Sequence, residues 1–517
     1  MEKLKKKKYA LFSLYEVKEK ELVEFATCLL NKGWMILGSK ETVSVLKSRG
    51  MDVIDISDFT KSKGSFSFPP TLHPKVENSL TMEDAEERIC LVFDIAYPLS
   101  IGIDVGGHTL LALAVKGDRI PVTNYDDMAS VIEQVKSNEN ITPELKRSLQ
   151  EKAIVKIIEH NKDILGSISN EILYIGFKKI AKLSNGENPY QIPAYVMKDL
   201  SSGDAGYSLT SLKRVFGDEP CFTNMADIDS MLQTLYIIAK AFKKYYRKTP
   251  YISVACKHGN PCGLSISWNS PEMSIKDALW CNPIAIWGGE FIVNFKLTEE
   301  CGKLLSESKE REKLAGNAKW MLDVIVAPEA DENTKGILSK RKHAKYFENH
   351  NLYKAEDAPD IEIFRGIRGG YLKQPPYNYI LDFSELKWIT QPFEQNEIDS
   401  TIIAWGVAYS SFHGGNEVSI VKNNSLISVG GGPSTIDAAR IAVMRGKEQG
   451  RDLKGSIFAA DAFFPYTDAP EILIDAGCKG GVVPIGGQNY SKVEDLFKKK
   501  NIKIGFIPGK FRGFCRH

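Results

Sequence analysis

Lys257 and His258 stand side by side in the run VACKHGNPCGLSI, residues 254–266. An apolar, strand-like stretch leads to Cys256, and Pro261 with Gly259 and Gly263 predicts a tight, shaped turn. A lysine beside a histidine offers one donor that is ordinarily charged and one group that titrates near neutrality. That equipment suits proton transfer coupled to charge stabilisation. A surface turn with two ordinary basic residues meets the same description, so the residue types alone leave both readings open. Asn416 in GGNEVSIVK is either a turn former beside two glycines or an amide for a reacting group. Asp468, after FFPYT and before APEILIDAG, is either a helix N-cap or an acceptor for ligand N–H groups. Phe463 and Tyr466 beside it are core aromatics or the walls of a flat ligand's site. GGGPST (430–435) precedes the helical pattern DAARIAVMRG, where backbone N–H groups can hold a phosphate or carboxylate.

The elements that must position these groups alternate. YALFSLYE (9–16) predicts a strand and KELVEFATCLLNKG (20–33) an amphipathic helix closed by Gly33. WMILGS, ETVSVLKSRG and MDVIDIS predict a strand, a helix ending at Gly50 and a third strand. RICLVFDIAYP (88–98) continues the set, and DVGGHTLLALAVKG (104–117) is a glycine turn leading into a helix. Strand–helix alternation predicts a parallel sheet with crossover helices. Residues 126–165 are charged and helical in pattern, and QPPYNY (374–379) predicts a loop. No short-period repeat is present.

The chain has 517 residues, which predicts two or three domains, and 43% apolar residues, enough for large cores. Lys plus Arg (67) nearly balance Asp plus Glu (65), so bulk charge gives no sign of a nucleic-acid partner. The basic start MEKLKKKK predicts a solvated tail rather than a targeting signal, and no run of 18 apolar residues predicts a membrane span. Nine cysteines without a CxxC pair predict reduced thiols and a cytoplasmic protein. Eight histidines without ligand spacing predict no metal site.

KHGNPCG resembles the KHxNPxG signature of the AICAR formyltransferase/IMP cyclohydrolase family. Further resembling segments follow in the family's order: NGENPYQIPAY (185–195), FTNMADIDS (222–230), NPIAIWGGEFIVNF (282–295), DVIVAPEA (323–330), IRGGYL (367–372), DAARIA (437–442), SIFAADAFFPYTDAP (456–470) and GKFRGFCRH (509–517). The resemblance implies a methylglyoxal-synthase-like, doubly wound α/β domain over residues 1–165. A two-lobed, cytidine-deaminase-like formyltransferase region over 166–517 then follows. It implies transfer of a formyl group from 10-formyltetrahydrofolate, as co-substrate and without a metal, to the exocyclic amine of AICAR. It also implies a homodimer, with a reduced folate and a nucleotide-like amine as its small-molecule partners. That amine is a poor nucleophile. The reaction therefore needs a proton acceptor at the amine, charge stabilisation at the formyl oxygen and a proton donor for the leaving nitrogen. The resemblance gives His258 proton transfer, Lys257 electrostatic stabilisation and proton delivery, and Asn416 the formyl oxygen or the amine. It places Asn224, Phe463, Tyr466, Asp468 and Arg512 on the folate and substrate side. In the N-terminal domain it gives Thr71, Lys75, Asp104 and Lys116 as cyclohydrolase positions, with His73, Gly106, Gly107 and Thr109 also matching. Asp104 serves equally as a helix N-cap.

The departures are local. The family's LRYGENPHQ is here LSNGENPYQ, so Ser184, Asn185 and Tyr190 replace arginine, tyrosine and histidine. Thr435 and Thr467 stand at two further arginine positions, and each lost arginine removes a bidentate phosphate partner. Arg365 and Arg368 are possible replacements. The phosphate loops SDKTG and STGGT are YEVKEK (15–20) and GSKET (38–42), and Pro70 replaces a lysine. These losses predict a persisting fold with ring closure impaired or absent. The alternatives are an ordinary bifunctional enzyme, a formyltransferase of a specialised pathway, and a non-catalytic folate- or nucleotide-binding protein.

Overall fold

A computed structural model describes residues 7–62, 69–137, 140–200 and 206–514. Residues 1–6 of the basic start and Cys515–His517 of the terminal motif lie outside the described residues. The chain forms two compact units, Met1–Tyr174 and Ile175–His517.

The first unit runs β1 (Lys7–Leu14), α1 (Glu19–Asn31), β2 (Met35–Gly38), α2 (Lys40–Ser48), β3 (Ile54–Asp55), α3 (Ile56–Thr60), α4 (Pro74–Thr81), β4 (Glu87–Ile95), α5 (Val105–Lys116), β5 (Ile120–Val122), α6 (Tyr125–Ser137) and α7 (Pro143–Ile168). Its five strands are all parallel in the order β3-β2-β1-β4-β5, so strand order reverses between β1 and β4. The two-residue period of β1 sends Ala10, Phe12 and Leu14 to one core and Tyr9 and Leu11 to the other. Leu22, Phe25 and Leu29 of α1 close the first core, and Leu110, Leu111 and Ala114 of α5 the second. The expected third strand is cut to two residues, because Asp55 accepts the Ser57 N–H (2.8 Å) and caps a short helix instead.

The second unit opens with a hairpin, β6 (Phe177–Leu183) and β7 (Ala194–Asp199), then β8 (Lys213–Phe216). Its first half continues α8 (Phe222–Tyr246), β9 (Tyr251–Lys257), β10 (Asn260–Ser267), α9 (Pro271–Cys281), β11 (Glu290–Val293), α10 (Glu299–Ser306), α11 (Lys309–Ala315), β12 (Val324–Ala327), α12 (Glu332–Leu338) and β13 (Lys345–Glu348). A second hairpin, β14 (Ile363–Ile367) and β15 (Gly370–Gln374), precedes β16 (Lys387–Ile389). The second half is α13 (Gln395–Ser410), β17 (Asn416–Lys422), β18 (Ser425–Gly432), α14 (Thr435–Glu448), β19 (Ile457–Ala460), α15 (Asp468–Asp475), β20 (Gly480–Pro484), α16 (Tyr490–Lys499) and β21 (Lys503–Ile507).

Twelve of these strands make one sheet, β16-β21-β20-β19-β17-β18-β10-β9-β11-β12-β13-β8. Read outward from the β18–β10 seam, both halves repeat one pattern. An antiparallel hairpin is followed by an antiparallel neighbour, two parallel strands and an antiparallel edge. Ser265 and Ser425 pair at the seam, their hydroxyls 2.9 Å apart. Helices α8 and α13 share one core, and α13 is buried from Glu397 to Ser410. Such all-round burial suits an apolar helix between other elements. The internal duplication was invisible as a sequence repeat because it lies in strand order, not in residue identity.

Candidate active site

The Lys–His pair ends a hairpin. β9 runs through Lys257, β10 starts at Asn260, and the turn itself is only His258 and Gly259, with φ of +54° and +76°. A two-residue hairpin turn with both central residues left-handed is favourable for glycine and costly for histidine. Asp227 of α8 compensates: Oδ2 accepts the His258 N–H at 3.0 Å and Oδ1 accepts the Gly259 N–H. The His258 imidazole is exposed, while Lys257 donates from Nζ to the Trp287 carbonyl. Pro261 belongs to β10 rather than to the turn.

Asn260 ties this turn to the second half of the sheet. Its Nδ2 donates to the His258 carbonyl (3.0 Å), and its Oδ1 accepts the Phe412 N–H (2.6 Å). The next residue, His413, donates from Nδ1 to Oε2 of Glu417 at 2.8 Å, and its backbone N–H donates to Oε1. Glu417 is fully buried and follows Asn416, the first residue of β17. Its own N–H donates to Oδ1 of Asp461 (2.7 Å), at the end of β19. Ala462 bridges to Gly513, beside the exposed Arg512. These contacts tie the backbone of the Lys–His turn to the start of β17 and, through Asp461 and Ala462, to the stretches beside FFPYTD and Arg512; the Asn416 amide itself donates to the Gly432 carbonyl (3.5 Å) and Asp468 accepts from its own helix.

Within that segment Phe463 is half-buried against Gly486, where a Cβ would lie 2.5 Å from its ring. Tyr466 is 62% exposed. Asp468 is the first helical residue of α15, after Thr467 as N-cap, and its Oδ1 accepts the Ala469 N–H at 2.7 Å. Asn224 is 6% exposed and turned inward. Its Oδ1 accepts the Cys221 N–H (3.2 Å) and its Nδ2 donates to Glu290 (2.8 Å), so its amide serves α8 and β11.

The glycine run differs from expectation. Gly430–Gly432 end β18, and a Cβ on Gly431 would lie 2.5 Å from His413 Cβ and 2.6 Å from Glu417 Oε1. The missing side chain makes room for the His413–Glu417 pair. The start of α14 is capped by Ser434, whose Oγ accepts the Asp437 N–H (3.2 Å), and carries the Asp437 carboxylate in its first turn. Sequence reading missed His413, Glu417, Asp227 and Glu290. The first pair's spacing of four is helical by habit, but here it spans a glycine loop.

In the first unit Asp104 is the N-cap of α5: Oδ1 accepts the Gly107 N–H (2.8 Å) and Oδ2 that of Tyr97 (3.3 Å). Thr71 is buried close by, its Oγ1 lying 3.1 Å from where a Cβ on Gly106 would sit. Lys116 closes the same 12-residue helix, about 18 Å away at 1.5 Å per residue, and pairs with Glu77 at 3.4 Å. Lys75 pairs with Glu87 (2.7 Å) and donates to the Phe59 carbonyl (3.0 Å), while His73 caps α4. The four expected cyclohydrolase positions therefore fall into three sets: Thr71 with Asp104 at the start of α5, Lys75 on Glu87, and Lys116 on Glu77.

Asp94 at the end of β4 was not anticipated. It is 3% exposed, packs against Gly107, and pairs in register with Ser13 of β1 at the point where strand order reverses. Burial and the nearby Asp104 carboxylate push its carboxyl up to about 8. A carboxyl raised on folding contributes stability that is complete below its unfolded value and is lost as pH rises toward about 8. Asp94→Asn should remove that dependence. Urea unfolding of the full chain should show the variant gaining on wild type by up to about tenfold in the folding constant per pH unit between pH 5 and 8. Parallel curves would refute the buried neutral acid.

The AICARFT/IMPCHase bienzyme family model matches residues 118–445. Three curated relatives carry the name bifunctional purine biosynthesis protein PurH. That of Persephonella marina is 27% identical over 533 residues, covering 94% of this chain and 96% of the relative. That of Fusobacterium nucleatum is 26% identical over 541 residues (98% and 99%), and that of Anoxybacillus flavithermus 28% over 528 (93% and 95%). A solved chain titled "Crystal structure of ForH" aligns at TM-score 0.28 with 20% identity over 32% of this chain and 99% of its own. The fold and the site define a two-unit α/β enzyme with a paired Lys–His turn. The chain belongs to the AICARFT/IMPCHase bienzyme family, the formyltransferase and cyclohydrolase enzymes of purine biosynthesis.

Proposed function

We propose that the second unit transfers a formyl group from 10-formyltetrahydrofolate to the amine of AICAR or a close analogue, in the cytoplasm. The observation that carries this is the Lys257–His258 turn, joined through Asn260 and Phe412 to the Asn416 strand. His258, exposed on a fixed backbone, takes the amine proton. Lys257 stabilises charge at the formyl oxygen and returns a proton to the leaving nitrogen. Asn416 orients the formyl oxygen or the amine. Asp468 accepts N–H groups of the folate ring, with Phe463 and Tyr466 beside it and Arg512 toward the phosphate. The duplicated halves of the sheet are the two deaminase-like lobes, and the first unit is the methylglyoxal-synthase-like domain with its ring-closing chemistry impaired or absent. A homodimer is part of the reading. Hairpin β14–β15 stands outside the large sheet and exposes Phe364, Ile367, Tyr371 and Leu372, and an isolated two-stranded hairpin is marginal without a cover. Incubating the purified protein with 10-formyltetrahydrofolate and a panel of amines including AICAR tests the reading. A formylated product identified by mass supports it, and no product from any amine refutes it.

One observation favours a second reading, the ordinary bifunctional enzyme: the PurH relatives align over 93–98% of the chain, first unit included. The two differ in acceptor affinity. Ser184 donates to Asn185, and Asn185 to the Gly186 carbonyl, so both polar side chains at lost phosphate positions are engaged locally. Thr435 is buried and Thr467 precedes α15 without a side-chain capping bond, while Arg368 lies in the turn of the exposed β14–β15 hairpin. Each missing charge-assisted contact weakens binding by about 1.5–3 kcal/mol. Calorimetry should therefore give measurable folate binding but weak AICAR binding. Submicromolar AICAR affinity would favour the ordinary enzyme.

A further inference from the structure

Beneath the Lys–His turn lie two buried acids. Asp227 and Glu290 are each 2% exposed. Both oxygens of Asp227 are occupied as acceptors, by the His258 and Gly259 N–H groups. Glu290, the first residue of β11, accepts the Asn224 amide at Oε1 (2.8 Å), and its carboxyl lies within reach of the Asp227 charge, one turn further along α8. Its Oε2 is buried and receives no N–H or O–H donor. The other ionisable groups facing Glu290 are Cys256 opposite it on β9, Cys262 on β10 and Asp323 ahead of β12. The cation on these elements is Lys257 of β9, whose charge reaches Cys262 but whose Nζ donates to the Trp287 carbonyl. Two adjacent buried carboxylates that no cation pairs with directly are strongly disfavoured, and a single proton between them turns repulsion into a hydrogen bond.

We propose that Asp227 and Glu290 hold one proton between them, carried on Glu290, and that this carboxyl pair is the clamp fixing the backbone of the Lys257–His258–Gly259 turn. It rests on the reading of that turn as catalytic. Glu290 donates to Asp227, and Asp227 remains the anion that two backbone amides of a left-handed histidine turn require. Asn224, one helical turn before Asp227, orients the Glu290 carboxyl from the other side. Glu290 and Asp227 are thus positioning residues acting through His258. Burial first, and the Asp227 charge second, push the Glu290 carboxyl up to about 10.

Two measurements test the clamp. In formyl transfer, Asp227→Asn and Glu290→Ala should lower kcat by about 10²-fold, the scale of a 1 Å misplacement, with KM for folate little changed. Glu290→Gln, which keeps an N–H donor toward Asp227, should recover most of that loss. Independently of activity, the Glu290 contribution to stability is complete below its unfolded value and is lost as pH rises toward about 10. Urea unfolding of the full chain should show Glu290→Gln gaining on wild type by up to about tenfold in the folding constant per pH unit between pH 6 and 9. Parallel pH curves, or a Glu290→Gln variant as slow as Glu290→Ala, would overturn the proposal. If wild type formylates no amine, the function fails while the unfolding comparison still decides the proton.

Discussion

Lys257→Ala and His258→Ala, each in the full chain, should reduce kcat for formyl transfer by about 10²–10⁴-fold, with thermal unfolding unchanged within a few degrees. The reason is the division of labour at a weak amine. An amine whose lone pair is delocalised into a ring gains little by attacking unless its proton leaves in step, and His258 is the exposed imidazole of the turn that can accept it. Lys257 ends β9 and directs its ammonium to the Trp287 carbonyl, which orients the charge without neutralising it. The folds of both variants should persist. The turn is fixed by the backbone N–H groups of His258 and Gly259 on Asp227, and neither substitution removes those. Alanine at position 258 inherits the left-handed conformation (φ +54°), a cost of about 1–3 kcal/mol already borne by histidine. Near-normal turnover in both folded variants would remove the catalytic reading of the turn.

The sequence made the alternating elements legible because each rests on local periodicity. β1 splits its apolar residues between two cores at period two, and α1 buries Leu22, Phe25, Ala26 and Leu29 at helical spacing. The chemistry-bearing turn was legible as well, since a Lys–His pair next to glycine carries its signal within a few residues. What stayed hidden depends on register between distant strands. Glu290 reads as the polar start of EFIV, and only the pairing of β11 with β9 puts it opposite Cys256 and beside Asp227. Asp94 reads as an ordinary end-of-strand acid until β4 pairs with β1 and Gly107 closes over it. GGGPST reads as an anion loop, yet Gly431 makes way for Glu417 and His413, a pair that exists only once β17 and β18 are in register. Asp104 and Lys116 match their family positions by count, and the helical pattern between them already implies that α5 holds them at its opposite ends.

The full chain supplied with synthetic formyl-AICAR should form IMP no faster than the spontaneous reaction. Ring closure requires the nucleotide to be held so that the carboxamide nitrogen meets the formyl carbon, and such positioning supplies much of the barrier reduction. In an open parallel sheet the natural anion sites are the helix starts beyond the strand carboxyl ends. Here α1 begins with Glu19 and Glu21 in its first turn, and α2 carries Glu41 in its first turn. These carboxylates already answer the positive ends of the two helices, and Glu19 is in addition paired with Arg49, so neither helix start is left open for an anion alone. Ser39 and Thr42 hydrogen-bond each other (3.0 Å), and Thr42 also accepts the Leu14 N–H (3.3 Å), so the hydroxyls at the second loop are committed. Pro70 brings no charge or donor, Lys75 is held by Glu87, and Lys116 sits at the far end of α5 from Asp104. Restoring the loop glycines should leave activity at background, because no cation would return near Asp104. A spectrophotometric assay at several enzyme concentrations decides the matter. IMP formation proportional to enzyme and abolished by Asp104→Ala would show a working cyclohydrolase, with the acids at the helix starts tolerated or screened by a bound cation.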